Sequence, residues 1–238
     1  MADDPAWLCT VDNAEALFAT PFVGRRNAVR WARVLAGDFA EVARLADAIE
    51  PDADRVTLDD DVLRSLRRRA SDAGRAAIDV LRADLELLRE RGHEPGLEWL
   101  RRYRRDDDPD LPTDVLSFHV DTANAATETI LCTYFGAPSE ALPREHAVRR
   151  VHDPELRERL RLRFETERDG EYGNFAAWLA EHSFDLHFAP RPGAQPFAFG
   201  VGELCRLAVQ HPGAAVAACI HRAPSSPPAS LGRLLLIS

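Results

Sequence analysis

Four residues of this sequence have the types and spacing for metal chemistry. His119 and Asp121 form a His-x-Asp pair, and His221 lies far downstream. Two imidazoles and one carboxylate are the ligands of the facial triad that binds non-haem Fe(II) and leaves coordination positions open for oxygen. Arg233 follows shortly after the second histidine. Its guanidinium offers a binding group for the carboxylate of a cosubstrate.

The patterns around the two histidines put their side chains on open faces of strands. Residues 115–121 alternate between apolar and polar, so His119 and Asp121 leave the same face of a predicted strand. The face of His221 carries only Ala217 and Cys219, and such small neighbours leave a cavity beside the imidazole. The alternatives are a core histidine hydrogen-bonded to a carboxylate and an alanine-rich strand under a closely packed helix.

Arg233 begins a predicted strand, Arg233–Ile237, in which alternation places it on the face of Leu235 and Ile237. An arginine that faces a barrel interior needs an anionic partner, because an unpaired buried charge is unfavourable. A bound dicarboxylate would provide that partner through paired hydrogen bonds. The alternative is a charged residue at the surface end of a strand.

Other histidines offer further candidates. His211 could replace or supplement His221, although its turn sequence fits a position at the mouth of a pocket. His182 and His187 lie near a predicted helix end and strand, from which either could reach a substrate. The sequence does not decide among these positions.

Composition excludes several classes of function. The chain has 238 residues, enough for one large domain or two small ones, and its net charge of −9 argues against a nucleic-acid partner. It has no lysine, and hence no phosphate-binding loop of the Walker type. No apolar run approaches the ~18 residues of a membrane helix, and the acidic start lacks the features of a signal peptide. The sparse cysteines (Cys9, Cys132, Cys205 and Cys219) favour a reducing cytoplasm.

The first hundred residues are predicted to be mainly helical. Apolar positions with three-and-four spacing predict helices over residues 26–49 and 71–91, and a short helix over 97–103. Residues 101–112, with opposite charges and two prolines, predict a solvated loop.

The second half is predicted to form mainly short strands, with two helices among them. Asp153 and Asn174 are expected to cap those helices, the second of which ends near Glu181. Helices before short strands predict an α+β protein, with a β-barrel or jelly roll backed by helices. The strands are predicted over residues 115–121, 127–135, 184–189, 196–201, 205–209, 214–221 and 233–237.

This organisation divides the chain into two regions. Residues 1–105 form a helical region that packs on the core, and residues 106–238 form the metal-binding core with a helical insertion at 153–182. The two are expected to fold as one integrated domain.

The metal motif and its flanking strands together resemble the Fe(II)/2-oxoglutarate-dependent dioxygenases, whose core is a double-stranded β-helix of the jelly-roll or cupin-like type. More narrowly, the chain resembles a bacterial family described only as a domain of unknown function, including its N-terminal stretch at residues 26–33. Where that family has a Gly-Pro-Gly-Thr-Glu-Trp-like turn, residues 136–141 read Gly-Ala-Pro-Ser-Glu-Ala, which changes one wall of the pocket. The similar stretches are residues 118–121, 131–134, 221–224 and 233–237.

The resemblance implies a role for each matching residue. His119, Asp121 and His221 would bind Fe(II) and form the catalytic centre. Arg233 would bind the distal carboxylate of 2-oxoglutarate, and Tyr134 or Thr133 would hydrogen-bond the same cosubstrate. Oxygen and 2-oxoglutarate would then be consumed in the oxidation of a small-molecule substrate, with succinate as a product.

Two other functions stay open on the sequence. One is a cupin-type metalloenzyme that does not use 2-oxoglutarate, and the other is a metal-binding or ligand-binding protein without turnover. The identity of the substrate depends on loops such as 137–150 and 189–196, whose paths the sequence does not give. The oligomeric state is equally open.

Overall fold

The computed structural model describes residues 4–167, 173–224 and 232–238, which form a mixed α+β structure of two sheets and six α-helices. The helices are α1 (Ala14–Ala19), α2 (Phe39–Asp47), α3 (Asp60–Arg69), α4 (Asp72–Glu90), α5 (Pro154–Glu167) and α6 (Phe175–Glu181). The strands are β1 (Leu8–Val11), β2 (Ala28–Trp31), β3 (Arg55–Thr57), β4 (Gly96–Leu100), β5 (Phe118–His119), β6 (Glu128–Phe135), β7 (Glu140–Ala141), β8 (Ala147–Arg149), β9 (His187–Pro190), β10 (Phe197–Ala198), β11 (Leu204–Ala208), β12 (His221–Arg222) and β13 (Arg233–Ile237).

The larger sheet has seven strands in the order β1-β2-β11-β6-β13-β4-β3, and only the β1–β2 pair is parallel. The smaller sheet has six antiparallel strands in the order β10-β7-β12-β5-β9-β8. Helices α2, α3 and α4 pack on one face of the larger sheet and form the main hydrophobic core. On its other face, Leu131 and Leu207 pack with Ala141 and Cys219 of the smaller-sheet side.

The helix predicted over residues 26–49 is wrong in its first half. Trp31 ends β2, and Val34 is fully exposed in the loop that follows. Gly37 has a φ of 111°, and α2 begins only after Asp38, whose carboxylate accepts a hydrogen bond from the first helical turn. The apolar positions therefore belong to two elements, whose combined spacing imitates a single helical stripe.

The short helix predicted over residues 97–103 is also wrong. Residues Gly96–Leu100 form β4, which lies between β13 and β3 and is almost entirely buried. A strand that is buried on both faces has no alternation, so periodicity alone does not separate it from a short helix. As a result, the first hundred residues contribute four strands to the larger sheet in addition to their helices.

The elements with explicit start and stop signals are confirmed. Ser71 caps α4, and Gly92, with a φ of 82°, follows its end. Asp153 and Asn174 each accept a hydrogen bond from the first turn of α5 and α6. Strands β6, β11 and β13 lie where they were predicted, whereas those predicted over 115–121, 184–189, 196–201 and 214–221 shorten to β5, β9, β10 and β12.

Helices α5 and α6 pack against each other around Trp178, within the segment predicted as an insertion. None of the helices in the described part of the chain has the length and apolarity required to cross a membrane.

Candidate metal centre

The two histidines of the predicted triad face each other across neighbouring strands. His119 in β5 is the direct cross-strand partner of His221 in β12, and their ring centroids are 4.7 Å apart. Asp121 follows β5 on the same side. One ligand atom from each of the three residues lies within 4.8 Å of the other two. Antiparallel pairing thus joins groups that are remote along the chain.

Backbone carbonyls set the orientation of both rings. His119 Nδ1 donates to Ser117 O at 2.8 Å, and His221 Nδ1 donates to Cys219 O at 3.3 Å. A carbonyl oxygen only accepts, so Nδ1 carries the proton in each neutral ring. The Nε2 lone pairs are therefore free for a metal, and such a bond from the second nitrogen is the usual support of a metal-binding histidine.

Asp121 completes the donor set. Its Oδ1 is 3.7 Å from His119 Nε2, and its Oδ2 is 3.6 Å from His221 Nε2. Both separations exceed hydrogen-bonding distance, and all three ligand atoms lie within 4.8 Å of one another, close enough to hold one ion. Oδ2 also accepts a hydrogen bond from Thr129 Oγ1 at 2.5 Å, which fixes the carboxylate.

The electrostatics of His221 favour the form that binds metal. Burial lowers its pKa, the Asp121 carboxylate opposes that shift, and the neighbouring His119 adds to it. The direction keeps the imidazole neutral at neutral pH, and a metal-binding imidazole is neutral. Two imidazole nitrogens and a fixed carboxylate therefore fit a divalent transition metal.

The triad lies in a cavity of about 130 Å³ between the two sheets. The cavity has one polar end at Arg233 and apolar walls from both sheets and the 101–117 connection. Its lining consists of Tyr103, Val115, His119, Asp121, Leu131, Ser139, His221, Ala223, Arg233, Leu235 and Ile237.

Arg233 brings a buried positive charge to this cavity. Its side chain donates to Thr133 Oγ1, to Tyr103 OH at 2.7 Å and to Ser139 Oγ at 2.6 Å. The residue is only 3% exposed, and burial lowers the pKa of the guanidinium. Among the residues that the structure describes, no carboxylate forms an ion pair with it.

Three hydroxyl groups surround the guanidinium of Arg233. Thr133, Ser139 and Tyr103 each accept from the guanidinium, and each keeps its own O–H proton. Within the described part of the chain, none of these protons has an acceptor at hydrogen-bonding distance. A positive charge with three hydroxyl donors is the environment that a bound carboxylate requires.

The structure separates the two predicted cosubstrate residues. Thr133 accepts hydrogen bonds from Arg233 without itself lining the cavity, whereas Tyr134 points to the opposite face of β6. Its hydroxyl donates to Asp84 Oδ2 at 2.6 Å in the core under α4, so Tyr134 does not line the cavity. The physical reason is the two-residue period of a strand, which sends neighbours to opposite faces.

Two residues of the site were missed. Tyr103 comes from the segment predicted as a helix end and solvated loop, and Ser139 from the turn after β6. Neither has a local signal, because both reach Arg233 only through the folding of the sheets.

Of the other candidate histidines, His211 lies in the turn after β11 and is outside the cavity. His187 is in β9, opposite His119. Comparison with protein-family models, with curated proteins and with solved structures finds no match to this chain.

Proposed function

We propose that this protein is a non-haem Fe(II) oxygenase that uses 2-oxoglutarate and O₂ to oxidise a small molecule. The observation that carries the proposal is the convergence of His119, Asp121 and His221 in one cavity with the guanidinium of Arg233, which has no carboxylate partner among the described residues. A metal triad alone would fit several metalloproteins. A buried cation beside it indicates a cosubstrate with a carboxylate.

The triad residues hold the metal in this proposal. His119 and His221 offer Nε2, Asp121 offers a carboxylate oxygen, and the remaining coordination positions are open to cosubstrate and oxygen. When bound, Fe(II) supplies the oxygen activation that protein side chains lack. The net reaction puts one oxygen atom of O₂ into a substrate C–H bond and the other into succinate, with release of CO₂ from 2-oxoglutarate.

The polar end of the cavity binds and orients the cosubstrate. Arg233, with the hydroxyls of Tyr103, Thr133 and Ser139, would hold the distal carboxylate by charge-assisted hydrogen bonds. Leu131 and Leu235 lie between the two ends and exclude water from the carbon chain. Fixing the cosubstrate at one end aims its keto-acid end at the triad.

The strand order supports a double-stranded β-helix as the core. Strands β4-β13-β6-β11 are consecutive antiparallel neighbours in the larger sheet, and β10-β7-β12-β5 are so in the smaller one. Two facing four-stranded sheets make the eight strands of a jelly roll. In this proposal β1, β2 and β3 extend the larger sheet, and β8 and β9 extend the smaller one.

We further propose a cytoplasmic location and a small-molecule rather than nucleic-acid partner. The free thiols of the four cysteines and the net charge of −9 support these two statements.

The proposal is tested by anaerobic titration of the whole chain with Fe(II) and 2-oxoglutarate. We expect the visible charge-transfer band of a metal-chelated keto acid, and its loss in His221→Ala. Arg233→Ala should keep metal affinity but lose most of the affinity for 2-oxoglutarate. His152→Ala removes an exposed histidine and should leave the band unchanged.

The outcomes separate the possible functions. Metal binding without the band in the folded wild-type chain would favour a metalloenzyme that does not use 2-oxoglutarate. A band without succinate formation from any substrate pool would favour a binding protein. Folded protein that binds no divalent metal would contradict the metal centre.

A further inference from the structure

A third imidazole continues the row formed by His119 and His221. Strand β9 pairs with the other edge of β5, and His187 is the direct cross-strand partner of His119. The ring centroids of His187 and His119 are 5.8 Å apart. The order β12-β5-β9 thus brings three histidines side by side, of which only two belong to the metal triad.

Ser117 connects the third imidazole to the triad. Nδ1 of His187 lies 3.0 Å from Ser117 Oγ, and the carbonyl of the same serine accepts the hydrogen bond from His119 Nδ1. Ser117 therefore contacts His187 through its hydroxyl and orients the ring of His119 through its carbonyl. A shift of the backbone at Ser117 would change both the direction of the carbonyl and the orientation of His119, and the hydrogen bond from the Ser117 hydroxyl to His187 opposes such a shift.

The position of His187 suits it to hold Ser117 and not to bind the metal itself. The residue is 3% exposed, and its neighbour Phe188 pairs with Phe118 in the same ladder. Its ring nitrogens are not among the ligand atoms that lie within 4.8 Å of one another. A buried ring with one nitrogen already bonded to Ser117 has little freedom to swing toward the metal position.

We propose that His187 is a positioning residue for the metal centre: by holding Ser117 it fixes the orientation of His119. This inference rests on the proposed metal site. Groups that orient a metal ligand in this way typically change metal affinity by about 10–100-fold when they are removed.

The test is the dissociation constant of Co(II), read from its visible d–d absorption, for the full chain and five variants. We expect Ser117→Ala and His187→Phe each to weaken Co(II) binding by about 10-fold and to shift the absorption bands. The double variant should be no weaker than the weaker single variant, because both changes break one linkage. His187→Asn should recover part of the affinity, since its amide can bond to the Ser117 hydroxyl. His152→Phe is the exposed control and should not change binding.

Each result decides a separate point. A Co(II) affinity of Ser117→Ala within twofold of that of the wild type would overturn the proposal. Because this substitution is small, it also tests the proposal if His187→Phe does not fold. Multiplicative losses in the double variant would show that His187 and Ser117 act independently of each other, which also overturns it. Failure of folded wild-type chain to bind Co(II) would instead contradict the metal centre itself, and the inference with it.

Discussion

The guanidinium of Arg233 is held by three hydroxyl groups and, within the described residues, by no carboxylate. Neutral oxygens compensate a buried charge only in part, which is why burial lowers its pKa. A ligand carboxylate would complete the pairing, and the hydroxyls would then donate to it. At the scale of the residue, the strongest indication of a cosubstrate is thus the buried Arg233 guanidinium, which has no counter-ion among the described residues.

Tyr103→Phe tests this arrangement by removing one hydroxyl. We expect the affinity for 2-oxoglutarate to fall by about 10–100-fold, the contribution of one hydrogen bond to a charged group, with Co(II) affinity unchanged. The measurement is a 2-oxoglutarate titration of the metal-loaded protein.

Tyr134→Phe is the matched control on the other face of β6. It removes the hydrogen bond to Asp84, so it should lower the free energy of unfolding by about 1–3 kcal/mol and leave 2-oxoglutarate affinity unchanged. Equal effects of the two variants on 2-oxoglutarate binding would refute the assignment of Tyr103 to the pocket.

At the scale of elements, a buried ion pair fixes the connection between β2 and α2. Arg33 donates to both carboxylate oxygens of Asp84 in α4, at 2.7 and 2.5 Å, and Arg33 Nε donates to Gly202 O. Tyr134 of β6 bonds to the same carboxylate. This network links a loop, a helix and the central strand behind the cavity, where sequence periodicity predicts only one long helix.

Asp84→Ala should destabilise the protein strongly. Removal of the carboxylate leaves Arg33 as an uncompensated buried charge, and such losses amount to about 3–5 kcal/mol. The control in the same helix is Asp79→Ala, whose partner Arg67 is well exposed, so that about 1 kcal/mol or less is expected. Urea unfolding measures both, and similar losses in the two variants would contradict the role of the buried pair.

At the scale of the whole molecule, the two sheets enclose imidazoles that burial keeps neutral. Burial lowers the pKa of His187 to about 4, with smaller contributions in the same direction from His119 and Arg150 and in the opposite direction from Asp114 and Asp106. In the unfolded chain a histidine titrates near 6.5. At pH values between the folded and the unfolded pKa, His187 is therefore neutral in the folded protein but protonated in the unfolded chain.

The free energy of unfolding of the metal-free protein should consequently decrease as the pH is lowered. Between about pH 6.5 and pH 4 the unfolded chain binds more protons at His187, so the free energy of unfolding decreases as pH falls, by up to about 1.4 kcal/mol per pH unit. Urea unfolding in EDTA at about pH 7 and about pH 5 measures the loss. His187→Phe should reduce the pH dependence and His152→Phe should not; equal slopes in both variants would show that other groups dominate.

The sequence by itself determined the elements with local signals and predicted the candidate donor set. Capping residues and apolar periodicity specify α4, α5 and α6, because those signals act within a few residues. The two-residue period of strands placed His119 and Asp121 on one face. The same period implies that Thr133 and Tyr134 face opposite ways, but not which of them faces the cavity.

Only the tertiary structure decided which remote groups meet. The pairing of β12 with β5 joins His221 to His119, and the pairing of β9 with the other edge of β5 adds His187. Tyr103 and Ser139 reach Arg233 through the packing of β4, β6 and β13 and the turn after β6. Strand pairing depends on the free energy of the whole sheet and not on neighbouring residues, so no local pattern in the chain encodes these contacts.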